Sequence, residues 1–187
     1  MSGPNEIRLV GPGGAGKSTI GAFLAERLEV AFVDLDRHLA AGLGDISEYI
    51  GQYGYDAYAR QNVETYCSLF RGGIRPGVVA LSSGFMTYAL DIHPEYSRVL
   101  REIEHSPYTF ALLPSVDLDV CVAETVRRQI ARPFGRSSAK EEAVIRARFE
   151  IYIAMPVRKI ETMRPIAAAV DEIVAALSLE KKWPRGE

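Results

Sequence analysis

The chain has 187 residues, 48% of them hydrophobic and 25% charged, with a formal net charge of −2. That length fits one domain around one core, and the slight negative balance speaks against broad non-specific binding of nucleic acid. Its two cysteines, Cys67 and Cys121, sit in apolar, helix-like stretches, which speaks against a disulfide framework and fits a reducing compartment.

In chain order, Ile7–Val10 is a short apolar run before a glycine loop and predicts a buried strand. Residues 17–28 carry Ile20, Phe23, Leu24 and Leu28 at helical spacing. A second strand is expected over 30–33, ending at Asp34. Helices are expected over 46–53 and 57–70, with Gly51 and Gly54 interrupting them. A third strand, 78–81, runs into Ser82-Ser83-Gly84. Helix 94–103, strand 108–113 and helix 118–129 follow. Residues 132–139, with Pro133, Gly135 and paired serines, read as a mobile loop. Helix 141–153, a fifth strand over 159–162 and a closing helix over 165–177 complete the pattern. The tail from Glu180 is charged and reads as frayed. No apolar run nears the roughly 20 residues that cross a bilayer, and no secretory leader precedes the first strand, so a cytoplasmic location without a membrane partner is expected.

Strands alternating with helices predict an α/β fold: a five-stranded parallel sheet with helices on both faces. In such sheets ligands bind beyond the carboxyl ends of the strands. The tips of the first three strands, Gly11, Asp34 and Ser82, are therefore expected to converge.

Residues 11–18, Gly-Pro-Gly-Gly-Ala-Gly-Lys-Ser, fit G-x-x-x-x-G-K-[ST] with a strand before and a helix after. The predicted phosphate-binding set is Gly11, Gly13, Gly14, Ala15, Gly16, Lys17, Ser18 and Thr19. Glycines let the backbone turn its N–H groups toward phosphate oxygens, and the helix start adds its positive dipole end. Lys17 can reach the outer phosphates of ATP, and the Ser18 hydroxyl can ligate Mg²⁺. A guanine reader of the form Asn-Lys-x-Asp is missing, since the only asparagines are Asn5 and Asn62. A P-loop NTPase fold serving as a small-molecule kinase is the expectation.

Asp34 and Asp36 follow the second strand. In a continuing extended strand both point to one side, where one could serve Mg²⁺ and the other an acceptor hydroxyl. An Asp helix cap beside a solvated turn is the plainer alternative. Six arginines, Arg127, Arg128, Arg132, Arg136, Arg146 and Arg148, cluster in the chain. Arg127 and Arg146 read as an exposed basic face paired with nearby glutamates. His38, His93 and His105 lack metal-like spacing, and the tyrosines between 49 and 66 read as core first and pocket wall second.

Taken together these motifs resemble the shikimate kinase family over nearly the whole chain. Residues 11–28 look like its phosphate loop and first helix, and Phe32-x-Asp34-x-Asp36 like its acidic motif. Arg132-Pro133-Phe134 is similar to its lid motif, Arg148-x-x-x-Tyr152 to the motif after the lid, and residues 160–165 to its last strand and helix. The resemblance implies ATP and Mg²⁺ as cofactors, with Ser18 and Asp34 at the metal. It implies Lys17, Asp36 and Arg132 as catalytic residues, Arg132 also reaching the phosphates. It implies one kinase domain over 1–187, with acceptor helices about 36–70 and a lid about 129–141. The acceptor would be a hydroxylated carboxylic acid, first of all shikimate, held by Asp36, Ser83, Gly84 and Arg148. A monomer or weak dimer is expected.

Three places depart from the family pattern. Ser82-Ser83-Gly84 stands for three glycines, Tyr58-Ala59-x-x-Asn62 for Phe-Arg-x-x-Glu, and Phe134-Gly135 for leucines. Arg60 and Glu64, four apart, are expected to replace the missing pair from a shifted angle, with Arg60 reaching the acceptor. Two alternatives stay open: a kinase of the same architecture for another small acid or polyol, and a nucleotide-binding regulator without catalysis.

Overall fold

Five parallel strands lie in the order β2 (Phe32–Asp34), β3 (Val78–Ala80), β1 (Ile7–Val10), β4 (Thr109–Leu113) and β5 (Arg158–Glu161). The structure, a computed structural model, describes residues 6–71, 77–130 and 138–179, without the side chains of residues 130 and 138–141. Parallel neighbours need crossovers, which α1 (Lys17–Arg27), α2 (Leu35–Leu43), α3 (Ile46–Tyr53), α4 (Tyr55–Arg71), α5 (Tyr96–Glu104), α6 (Leu118–Ile130) and α7 (Ser138–Ala154) provide, and α8 (Ile166–Leu179) follows the last strand.

Strand alternation sorts the core into two layers. Ile7, Leu9, Val78, Phe110, Leu112 and Ile160 pack with Ile20 and Leu24 of α1 and with Val170, Ile173 and Leu177 of α8. Val10, Val79, Leu81, Ala111 and Leu113 face the opposite way. They meet Val63 and Tyr66 of α4, Tyr96 and Ile103 of α5, and Phe149 and Tyr152 of α7. Helices therefore cover both faces, as the alternating pattern predicts. β1 lies between β3 and β4, which puts the loop after it at the middle of the sheet's carboxyl edge.

A buried ion pair interrupts the second layer near the start of β1. Arg8 is buried and ion-pairs with buried Glu6 at 3.1 Å, while its Nε donates to Tyr66 Oη at 2.8 Å. Burial pushes the Glu6 carboxyl up to about 7, against the opposing pull of Arg8.

The expected strands and helices appear with ends shifted by no more than three residues, and two elements are additional. Phe85–Thr87 forms a 3-10 turn. Residues 35–43 form α2 rather than an extension of β2. Leu35, Leu39 and Leu43 recur every fourth residue and turn inward. Asp34 caps this helix, its Oδ1 accepting from the Arg37 N–H at 3.1 Å. The extended geometry expected for Asp34 and Asp36 is therefore corrected: one carboxylate caps the helix and the other lies in its first turn. Gly51 sits inside α3, whereas Gly54, with φ +84°, ends it.

Both cysteines are buried free thiols. No described helix is long and apolar enough to cross a membrane. Arg132, Pro133, Phe134, Gly135, Arg136 and the tail from Glu180 lie outside the described residues.

Candidate active site

The loop after β1 turns sharply because Gly11 adopts φ +142°. A Cβ there would stand 2.2 Å from the Leu112 carbonyl oxygen of β4, so only glycine fits the approach. Gly16, also left-handed, precedes α1. Lys17 opens α1 and folds back over the loop, its Nζ donating to the carbonyls of Gly11 at 2.7 Å and Pro12 at 2.9 Å. Ser18 and Thr19 are exposed in the first turn of the helix. Backbone N–H groups, an ammonium and a hydroxyl are thus collected at one helix start, the arrangement that binds polyphosphate.

The end of α6 leans on this loop. Arg128 donates to the Gly14 carbonyl, to Thr162 Oγ1 and to the Thr162 carbonyl, and also pairs with Glu124. Gln129 lies so close to Gly13 that a Cβ on the glycine would meet its Nε2 at 2.1 Å. Sequence reading missed these two contacts. They join positions more than a hundred residues apart and leave no local pattern.

Asp36 is held from two sides. Tyr58 Oη donates to its Oδ1 at 2.9 Å, and Ser82 Oγ lies 2.5 Å from the same oxygen. Burial, and then the charge of Asp36, raise the Tyr58 phenol well above its usual range. It therefore stays a donor across the neutral range. Ser83, the next residue, turns to another partner: its Oγ accepts from Arg148 Nη1 at 3.4 Å, and its carbonyl accepts from Tyr152 Oη at 2.8 Å. Arg148 and Tyr152 are four apart on α7 and so share one face. Arg148 Nη2 also donates to Tyr55 Oη at 3.0 Å.

The expected acceptor residues Asp36, Ser83, Gly84 and Arg148 are thus brought together at the tip of β3. The phosphate loop is alongside, since a Cβ on Gly13 would lie 3.8 Å from Ser83 Cβ. Asp34 ends β2, the neighbour of β3. Oxygen donors from Asp34 and Ser18 are the hard type that suits Mg²⁺.

Arg60 is corrected. Its Nε donates to the Ile92 carbonyl at 3.1 Å, on an exposed flank of α4. Glu64, its expected partner, pairs instead with Arg71 at 2.9 Å and His93 at 3.1 Å. A helical spacing of four permits a pair, but Arg71 and His93 occupy the carboxylate instead. Arg127 and Arg146 are surface residues paired with Glu124 and with Glu142 and Asp119. Among the described residues no His, Cys, Asp and Glu group is placed to hold a metal on its own.

Fold and site together define a small-molecule kinase of the P-loop NTPase fold. The sequence model of the shikimate kinase family matches residues 13–178. The shikimate kinase of Zymomonas mobilis is 30% identical over 180 residues, covering 93% of this chain and 94% of that protein. Among solved structures, shikimate kinase from Acinetobacter baumannii in complex with shikimate aligns with TM-score 0.67 and 25% identity, over 94% of this chain and 92% of that one. Shikimate kinase from Bacteroides thetaiotaomicron shares the fold at TM-score 0.70 and 19% identity, over 92% and 98%. The chain belongs to the shikimate kinase family.

Proposed function

We propose that the chain transfers the γ-phosphoryl group of ATP to a hydroxyl of a small hydroxylated carboxylic acid, with shikimate as the acceptor and shikimate 3-phosphate as the product. One observation carries this reading. The Ser82-Ser83-Gly84 segment holds a carboxylate, Asp36, and a guanidinium, Arg148, on consecutive residues beside the phosphate loop. That is the equipment for gripping an acid at one end and addressing its hydroxyl at the other.

In the proposed reaction Asp36 orients the acceptor hydroxyl and takes its proton as the oxygen attacks the γ-phosphorus. ADP leaves in line. Lys17 moves from the loop carbonyls to the phosphate oxygens and balances the charge spread over them. Arg132 adds positive charge from the lid motif and helps exclude water. Arg148 binds the acceptor carboxylate. Ser18 and Asp34 would hold Mg²⁺, which when bound supplies charge neutralisation at the phosphates.

A different small hydroxy acid is the second reading. It is favoured by Ala59 and Asn62, which stand where the family pattern has Arg and Glu. A coupled ADP-release assay over shikimate and related hydroxy acids tests both. Stimulation by shikimate is expected. Stimulation by another acid only transfers the proposal to that acid, and none with any acid removes it.

A further inference from the structure

Ser82 Oγ stands between two partners of opposite kind. Asn62 Nδ2 reaches it at 2.7 Å, and Asp36 Oδ1 lies 2.5 Å away. An amide nitrogen only donates and a carboxylate only accepts, so the serine proton points to Asp36. The amide is oriented from behind, where Asn62 Oδ1 accepts from Tyr88 Oη at 3.3 Å. Asn62 is 0% exposed and Ser82 1%, so water does not compete for these groups. Tyr58 donates to the same Asp36 oxygen from the other side. Oδ1 therefore accepts two hydrogen bonds, one for each lone pair.

We propose that Ser82 and Asn62 are positioning residues for phosphoryl transfer. A one-way hydrogen-bond relay from Tyr88 through Asn62 and Ser82 fixes Asp36 by Oδ1 and leaves Oδ2 for the acceptor hydroxyl. The inference rests on the proposed role of Asp36.

Ser82 and Asn62 are a matched pair. With Ala59 beside it, position 62 has no arginine to neutralise a charge, and a neutral amide satisfies a fully buried position without one. A glutamate at 62 would be an acceptor and would draw the Ser82 proton away from Asp36. Serine at 82 thus requires a donor at 62, and the two departures from the family pattern work as one device. Tyr88, which starts the relay, and Tyr58, which donates to Asp36 beside it, remain donors, since burial raises both phenols.

The test compares wild type with S82A, N62L, Y58F, S82A/N62L and S82A/Y58F, using whichever hydroxy acid the wild type turns over best. Displacing a reacting group by an ångström can cost about 10²-fold. S82A and N62L are expected to lower kcat roughly 10-fold each, with the KM for ATP unchanged within about twofold. Ser82 and Asn62 act in series, so S82A/N62L should be no slower than the slower single variant. Ser82 and Tyr58 act in parallel, so S82A/Y58F should fall to about 100-fold below wild type. Near-wild-type kcat in S82A and N62L, or multiplying losses in S82A/N62L, overturns the relay, whatever the melting temperatures do. Crystal structures of wild type and S82A without acceptor give a readout independent of substrate. Asp36 is expected to leave its side-chain conformation in S82A, and an unmoved Asp36 also overturns the relay. Should no acid be turned over, the proposed function fails and these two structures still decide the relay.

Discussion

Arg148 and Tyr55 meet across the backbone of Gly84: Nη2 donates to the phenol oxygen at 3.0 Å, over the space where a Cβ on Gly84 would stand. That Cβ would lie 2.2 Å from Tyr55 Oη and 3.0 Å from Arg148 Nη2. Ser82 and Ser83 have room for side chains, whereas Gly84 does not, which explains why a glycine stands third in this segment. Gly84→Ala is expected to push both groups aside and raise the acceptor KM about 10-fold, roughly the weight of one charge-assisted hydrogen bond. Tyr55→Phe in the same chain removes the nearest atom and should recover part of the loss. An unchanged KM in Gly84→Ala would show that the pair does not shape the acceptor site.

Arg148→Ala should raise the acceptor KM by about 10- to 100-fold, the range for charge-assisted bonds to a carboxylate. The KM for ATP should hold. Arg148→Lys should not restore binding, because an ammonium lacks the planar fork. Initial-rate kinetics with both substrates varied separate these effects. An acceptor KM insensitive to Arg148→Ala would remove the carboxylate grip from the proposal.

Lys17→Ala should reduce transfer by at least about 10²-fold, the usual loss when a donor to developing charge is removed. The melting temperature should move little, because the ammonium bonds to carbonyls of the phosphate loop rather than packing in the apolar core. Turnover and thermal melting measured on one preparation check this. Wild-type turnover in the variant would contradict the phosphate role.

Glu6 predicts a pH effect on stability that is separate from catalysis. Its carboxyl holds a proton up to about pH 7 when folded, against an ordinary value of 4.5. The folded chain binds that proton more tightly than the unfolded chain. The contribution is therefore fully present below about pH 4.5 and is lost as pH rises through about 7. At 1.36 kcal/mol per pH unit between 4.5 and about 7 the loss is at most about 3 to 4 kcal/mol. Urea unfolding at pH 5 and pH 8 should show a larger fall for wild type than for Glu6→Gln. Equal falls would mean that Glu6 stays ionised beside Arg8.

The phosphate loop and the succession of strands and helices around it were legible because both follow from local pattern: a glycine run between a strand and a helix, and apolar runs alternating with helical periods. The proposed acceptor side was legible by residue type only. Asp36 and Arg148 could be named, but the helix that carries Asp36 was implied only by the family resemblance and by the helix-cap alternative for the carboxylate pair, although Leu35, Leu39 and Leu43 already marked its buried face. The contacts that fix Asp36 come from Tyr58, Asn62 and Ser82, which are 22 to 46 residues away from it. No spacing rule reaches that far. Arg60 misled for the same reason, since its position on α4 does not reveal that Ile92 and His93 lie against that flank.

The central claim is that this site moves phosphate from ATP to the hydroxyl of a small acid, with Asp36 on the acceptor side. The most direct measurement is mass spectrometry of the acceptor together with ADP release, for wild type and Asp36→Asn, with shikimate and ATP-Mg²⁺. The account predicts one monophosphorylated shikimate per ADP in wild type, and a kcat lowered by about 10²- to 10⁴-fold in Asp36→Asn with ATP binding preserved. ADP release that does not depend on shikimate, or full turnover by Asp36→Asn, would contradict it.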